Sequence, residues 1–241
     1  MKYAVIGDIH SNLEALTAVL NKCEELGVEK YLCIGDIVGY NADPATCLDK
    51  VRGLPLAGVV MGNHDEQASE DSELIGFNPQ AAFAIEWTRQ QLSDEQREYL
   101  KNLRLSIQIG KITIVHATLD SPRRWGYIFD KHSAGASFSY QFSQICFCGH
   151  SHVPLAFEKF GTIAGGKYQE IKVQPGHKYL VNVGSVGQPR DGDWRSAFVC
   201  YDTNENIIRL YRVEYDIKTA QQKILDAGLP ERLALRLERG Q

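Results

Sequence analysis

The chain has 241 residues, 44% of them hydrophobic, with a formal net charge of −4. That length allows a substantial core in one domain. The acidic balance and the lack of a Lys/Arg-rich block exclude a broad duplex-binding surface, and no apolar run approaches the ~18 residues of a membrane span. A start directly in a strand-like run, without a leader pattern, and cysteines without a C-x-x-C pair lead us to expect a reduced, cytoplasmic protein.

In chain order, Tyr3-Ala4-Val5-Ile6 reads as a buried strand that runs into Gly7-Asp8-Ile9-His10-Ser11-Asn12. If that segment stays extended, Asp8 and His10, two residues apart, aim at one point. Ser11-x-x-Glu14 has the pattern of a capping box, followed by Leu13, Leu16, Val19 and Leu20 at helical spacing up to Gly27. Lys30 to Ile34 is the second strand of a βαβ unit, so a parallel pair is expected. It leads to Gly35-Asp36. Asp43-Pro44 opens a short helix to about Arg52, with Asp43 as its cap. Gly58 to Met61 then delivers Gly62-Asn63-His64-Asp65.

Residues 66–104 interrupt the strand pattern with a helical insertion. Helices start at Asn78-Pro79 and at the capping box Ser93-x-x-Gln96. The insertion either packs on the sheet or serves as a substrate-side lid or dimer surface. Leu105–Ile109 and Lys111–Val115 flank Gly110 as a hairpin, and the second of them ends at His116. A loop and a short helix occupy 118–143. Ile145 to Cys148 leads into Gly149-His150-Ser151-His152. Runs at 154–159, 168–173, 179–183, 197–202 and 207–213, with turns at Gly161 and Gly165-Gly166, suggest a second, largely antiparallel sheet. Helices at 216–226 and 230–239 close the chain.

Five apolar runs thus end in Gly, Asp, Asn or His, and open α/β sheets bind ligands outside the carboxyl ends of their strands. Five of the seven histidines fall on these ends. His132 and His177 lack motif context and read as surface or loop residues. Any one of these residues alone would more often be structural.

GDIH, GD, GNHD, a strand into His, and GHSH, in that order over residues 1–152, resemble the calcineurin-like metallophosphoesterases. A GS-x-G-x-PR segment, Gly184-Ser185-Val186-Gly187-Gln188-Pro189-Arg190, is similar to one in bacterial and archaeal phosphodiesterase-like members. The resemblance implies a four-layer α-β-β-α sandwich, an α/β fold of two mixed sheets flanked by helices, forming a single domain over residues 1–241. It implies two transition-metal ions, Mn, Fe or Zn. Asp8, His10 and His152 would hold the first, and Asn63, His116 and His150 the second, with Asp36 bridging. His64 would act near the leaving group as acid or hydrogen-bond donor, and a metal-bridging hydroxide would attack a phosphodiester or phosphomonoester. Arg190 is expected to contact the phosphate, unless it simply pairs with Asp191 in a turn.

The expected partner is therefore a phosphate-ester small molecule or nucleotide, with no membrane and no extended nucleic-acid surface; a homo-oligomer stays open. Alternatives within the resemblance are a dinucleoside polyphosphate hydrolase and a protein phosphatase. The eukaryotic type of the latter carries Asp-Arg-Gly where this chain has Val38-Gly39-Tyr40. A binding scaffold with a degraded site, such as a retromer subunit, is a further class, disfavoured by the intact residue set. A nuclease is disfavoured by the acidic balance.

Overall fold

The computed structural model describes residues 1–74 and 78–241. In chain order the elements are β1 (Lys2–Ile6), α1 (Leu13–Glu25), β2 (Lys30–Cys33), α2 (Pro44–Arg52), β3 (Leu56–Val59), α3 (Asn63–Ser69), α4 (Pro79–Gln91) and α5 (Asp94–Lys101). There follow β4 (Ser106–Ile109), β5 (Ile112–Val115), α6 (Lys131–Tyr140), β6 (Ile145–Cys148), β7 (Leu155–Phe160), β8 (Thr162–Gly166), β9 (Glu170–Lys172) and β10 (Lys178–Asn182). The chain closes with β11 (Ser196–Asp202), β12 (Ile207–Val213), α7 (Ile217–Asp226) and α8 (Glu231–Leu237).

Two six-stranded sheets result, ordered β3-β2-β1-β11-β12-β9 and β4-β5-β6-β10-β7-β8. The β1-α1-β2 unit is parallel, as its spacing implies. The strand runs after residue 154 do not form one second, largely antiparallel sheet among themselves but are divided between the two sheets. β11 adds antiparallel to β1, while β10 lies parallel to β6 and antiparallel to β7. Both sheets are therefore mixed. Gly165 and Gly166 lie inside β8 rather than in a turn.

The apolar strand runs are contiguous because both faces of those strands are buried. In β1, Val5 joins a core shared by the two sheets, with Leu32, Ile114, Phe147, Val181 and Val199. Ala4 and Ile6 point the other way, into a core with Leu16, Leu48, Ile85, Ile224 and Leu233 from the helices. In β6, Ile145 and Phe147 enter the inter-sheet core, while Cys146 and Cys148 meet Phe138 of α6 on the far side. The layers are helices, sheet, sheet, helix. Helices α4 and α5 of the insertion pack with the first helical layer through Ala84, Ile85 and Leu100. Residues 75–77 of the insertion lie outside the described residues.

Two caps differ from expectation. Asn12, not Ser11, caps α1, its side chain accepting from the Ala15 amide, because Ser11 sits at φ 57°. Asp43 makes no cap bond to α2; it accepts from Lys223 Nζ at 2.9 Å, tying α2 to α7. Among the described residues no helix is long and apolar enough to cross a membrane. All six cysteines are free and buried.

Candidate metal centre

The ends of β1, β2, β3, β5 and β6 meet on one rim at the seam of the two sheets. Asp8, His10, Asp36 and His152 form one buried group whose ligating atoms all lie within 4.8 Å of one another, and Asp36, His116 and His150 form a second. Asp36 is common to both. His152 Nε2 lies 3.1 Å from Asp8 Oδ1, and His116 Nε2 lies 3.3 Å from Asp36 Oδ2. Asn63 brings its Oδ1 to 3.2 Å from His116 Nε2.

The segments carrying these groups are not extended. Asp8, His10, Asp36, His150 and His152 have φ of 47°, 49°, 50°, 66° and 58°. Asp8 and His10 converge because each is turned into the left-handed region, not because alternate residues of a strand share a face. Such conformations cost on the order of 1–3 kcal/mol each and persist where the surroundings over-determine them. Ser185 Oγ and the Gly187 amide donate to Asp8 O at 2.7 and 2.9 Å, and Asn41 Nδ2 donates to His10 O at 2.6 Å. Asn182 Nδ2 donates to Gly149 O at 2.6 Å.

Three rings are oriented through Nδ1. His10, His116 and His152 place it 3.1, 2.8 and 2.6 Å from the carbonyl oxygens of Val38, Ile34 and Gln188. A carbonyl only accepts, so Nδ1 carries the hydrogen and Nε2 of a neutral ring offers its lone pair inward. His10 Nε2 and His152 Nε2 then face each other at 3.1 Å. Two lone pairs at that distance repel unless a cation lies between them and the carboxylates. Ring N–H groups anchored on carbonyls are the usual outer support of metal-ligating imidazoles. The residue set fits a pair of metal ions.

The charges agree. Burial pushes the Asp8 carboxyl up and the His10 and His152 rings well below their ordinary value. Burial and the neighbouring His116 hold His150 down to about 4. His116 is the exception: burial would lower it, but the Asp36 carboxylate outweighs that and raises it to about 9. Asp36 is correspondingly held well below its ordinary value, burial being outweighed by His116 and His64.

His64 lines a cleft of about 380 Å³ above this cluster, together with Tyr40, Asn63, Trp125, Tyr127, His150 and Arg190. Its amide donates to Asp36 Oδ1 at 2.8 Å. Its ring lies 4.7 Å from that of His10 and 4.4 Å from that of Tyr40. Burial, with Arg190 acting in the same direction, lowers its pKa to about 4. Arg190 is half-buried in the cleft wall, donating to Gln188 Oε1 at 2.9 Å and to Tyr40 OH at 3.4 Å. The turn pairing of Arg190 with Asp191 does not occur; Asp191 pairs with Arg212 instead. Of the two histidines without a motif, His132 is exposed on α6, and His177 stacks on Phe160 with ring centres 4.1 Å apart.

Several residues near the centre have no role assigned by the motifs, although Asp65 closes GNHD. Asp65 is buried and accepts from the amides of Ile37, Val38 and Gly62, bracing the loop after β2 against α3. Burial, and then Asp36, push its carboxyl up to about 7. Tyr127 stacks on His150 at 4.3 Å, and Trp125 sits at φ 52° with its Nε1 donating to Glu66. Tyr40 was legible only as a departure from the protein-phosphatase pattern.

A model of the calcineurin-like phosphoesterase superfamily domain matches residues 1–206. An uncharacterized protein of Methanocaldococcus jannaschii is 40% identical over 240 residues, 97% of this chain and 96% of its own length. The crystal structure of a metallophosphoesterase from Sphaerobacter thermophilus is similar with a TM-score of 0.90 and 36% identity, covering 100% of this chain and 99% of that one. A hypothetical protein from Pyrococcus horikoshii shares the fold, with a TM-score of 0.80, 21% identity and coverage of 100% and 98%. The fold and the rim of Asp and His side chains define a metallophosphoesterase architecture. The chain belongs to the calcineurin-like phosphoesterase superfamily.

Proposed function

We propose that this chain hydrolyses a small phosphate ester, a monoester or diester, with two metal ions held by Asp8, His10, His152, Asn63, His116 and His150 and shared through Asp36. The observation that carries this reading is the pair of buried ligand groups joined at Asp36 beneath an open cleft. A metal pair bound there would supply an activated water and a clamp for the phosphoryl oxygens. The donor set, imidazole mixed with carboxylate and amide oxygen, suits Mn, Fe or Zn.

The chain's own side chains supply orientation and charge. Arg190 offers a guanidinium to phosphoryl oxygens from the cleft wall, held in place by Gln188 and Tyr40. His64 offers a ring N–H at the side of the cleft where a leaving group departs. Trp125 and Tyr127 give the cleft an aromatic wall for the organic part of the ester. A volume of about 380 Å³ suits a small molecule rather than a folded phosphoprotein. We read residues 1–241 as one domain that carries the insertion at 66–104. Asn78 and Ala81, from the start of α4, line the cleft, so the insertion has a substrate-side edge as well as a packing role.

The test is turnover of 4-nitrophenyl phosphate and bis(4-nitrophenyl) phosphate by chain reloaded with Mn, Fe or Zn. Hydrolysis of at least one ester, abolished by chelator and restored by metal, is expected. Chelator-insensitive hydrolysis, or none with any metal, contradicts the reading.

A further inference from the structure

The cleft does not end at Arg190. It continues into a second cavity of about 310 Å³, with Tyr40, Asn78, Ala81, Tyr127 and Arg190 common to both. The far wall is α8, which contributes Arg232 and Arg236. Four residues apart on one helix, these two side chains share a face. The guanidinium carbons of Arg190 and Arg236 lie 5.7 and 5.8 Å from the centre of the Tyr40 ring.

Three guanidinium groups are thus gathered around one cavity. Several arginines elsewhere are ion-paired, Arg52 with Glu95, Arg97 with Asp71, Arg209 with Glu170, and Arg212 with Asp191. Among the described residues no Asp or Glu forms an ion pair with Arg190, Arg232 or Arg236. Arg190 meets neutral groups, while Arg236 meets the last residue of the chain, whose main-chain oxygen is there a carboxylate oxygen. Arg190 donates to Gln188 and Tyr40, and Arg236 Nε donates to the main-chain oxygen of Gln241 at 2.5 Å. Burial, and then the charges of Arg190 and Arg232, pull the Arg236 guanidinium down to about 10. One carboxylate does not balance three like charges, whose assembly costs stability unless a further anion completes it. Guanidinium groups match phosphate oxygens in a bidentate way.

We propose that Arg190, Arg232 and Arg236 form a second phosphate subsite, so that the substrate is a small ester carrying a second phosphate group beside the one that is cleaved. This rests on the phosphoesterase reading above and narrows it. The reacting phosphoryl group sits over the metal centre. The second phosphate sits against α8, with Arg190 between the two positions. The cleavable group gains no chemistry from the subsite, which acts through binding and register.

The test uses α,ω-alkanediol bisphosphates of graded chain length, the matching alkyl monophosphates, and ω-carboxyalkyl phosphates. The readout is the ratio of kcat/KM for each bisphosphate to that for its monophosphate. The metal-loaded chain is expected to prefer a bisphosphate of one chain length by about tenfold or more, the scale of one charge-assisted contact, over both comparison series. Arg232→Ala and Arg236→Gln should each collapse that ratio, while Arg239→Ala, exposed and outside the cavity, should keep it. No preference in the unmodified chain, a preference for the carboxylate series, or a ratio that survives both substitutions overturns the subsite, even if monophosphates are hydrolysed. If no ester is hydrolysed, the phosphoesterase reading has failed, and the subsite is judged by calorimetry on metal-free chain. Bisphosphate binding that Arg232→Ala weakens about tenfold supports it, and no binding, or binding that Arg232→Ala leaves unchanged, overturns it.

Discussion

At the scale of single residues, His64 and His116 carry the clearest consequences. A ring held down to about 4 is neutral near pH 7, and cations in the cluster below would lower it further. His64 is then better suited to donate a hydrogen bond to developing charge than to deliver a proton. His64→Ala is expected to cost roughly 10²–10³-fold in kcat, about equally for a nitrophenyl and an alkyl ester. A loss confined to the alkyl ester, whose leaving group needs a proton, would instead assign general-acid catalysis. Metal content should be unchanged in that variant.

His116 behaves in the opposite sense. Its pKa in the metal-free chain is raised to about 9 by Asp36. Sign follows directly: the Asp36 pairing is fully present below the ordinary imidazole value and is lost as pH rises through about 9. A ligating imidazole must be neutral. Metal loading at pH 7.5 should therefore release roughly one proton per chain from this ring, and affinity should rise with pH until about 9. Calorimetric titration in buffers of different ionisation enthalpy reads the proton count. Loading with no proton release would contradict the pairing.

At the scale of elements, the candidate site is built from strands whose ends turn abruptly into the left-handed region. The strands were legible because burial on both faces makes each a contiguous apolar run, and the site residues were legible because they follow those runs directly. The turns were not. A left-handed Asp or His is set by tertiary hydrogen bonds such as Ser185 to Asp8 O, which no local pattern encodes. Nor was the division of β7–β12 between two sheets, since strand pairing is non-local. Tyr40, Asp65 and Gln188 lie inside segments quoted from the sequence, but their roles rest on contacts that no motif encodes, such as Tyr40 with Arg190 and Gln188 with His152.

Glycines at these ends have a spatial duty. A Cβ on Gly149 would overlap Asp8 Oδ2 and the Ile34 side chain, and one on Gly62 would overlap Asp36 Oδ1. Gly149→Ala is expected to destabilise by about 1–3 kcal/mol, lowering Tm by roughly 2–12 °C, and to reduce metal content by displacing Asp8. Gly53→Ala, whose Cβ meets only ordinary contacts, should change neither. Thermal unfolding with parallel metal analysis distinguishes the two; an unaffected Gly149→Ala protein would contradict the close approach.

At the scale of the whole molecule, two mixed sheets packed face to face bring five strand ends to a common seam. Three belong to one sheet and two to the other, and Asp36, at the end of β2, stands where they meet. The helical layer formed by α1, α2, α4, α5, α7 and α8 closes one side, and it extends the cleft by setting Asn78, Arg232 and Arg236 beside it. Fold and candidate site are therefore one construction: the seam of the sheets positions the potential ligands, and the helical layer shapes what can reach them. The central claim is that Asp36 joins two metal positions. The most direct measurement is the metal content, by mass spectrometry, of chain stripped and reloaded with manganese, alongside an Asp36→Asn variant of verified fold. The account predicts two ions per unmodified chain and fewer than one in the variant. One ion or none in the unmodified chain, or two retained in the variant, would contradict it.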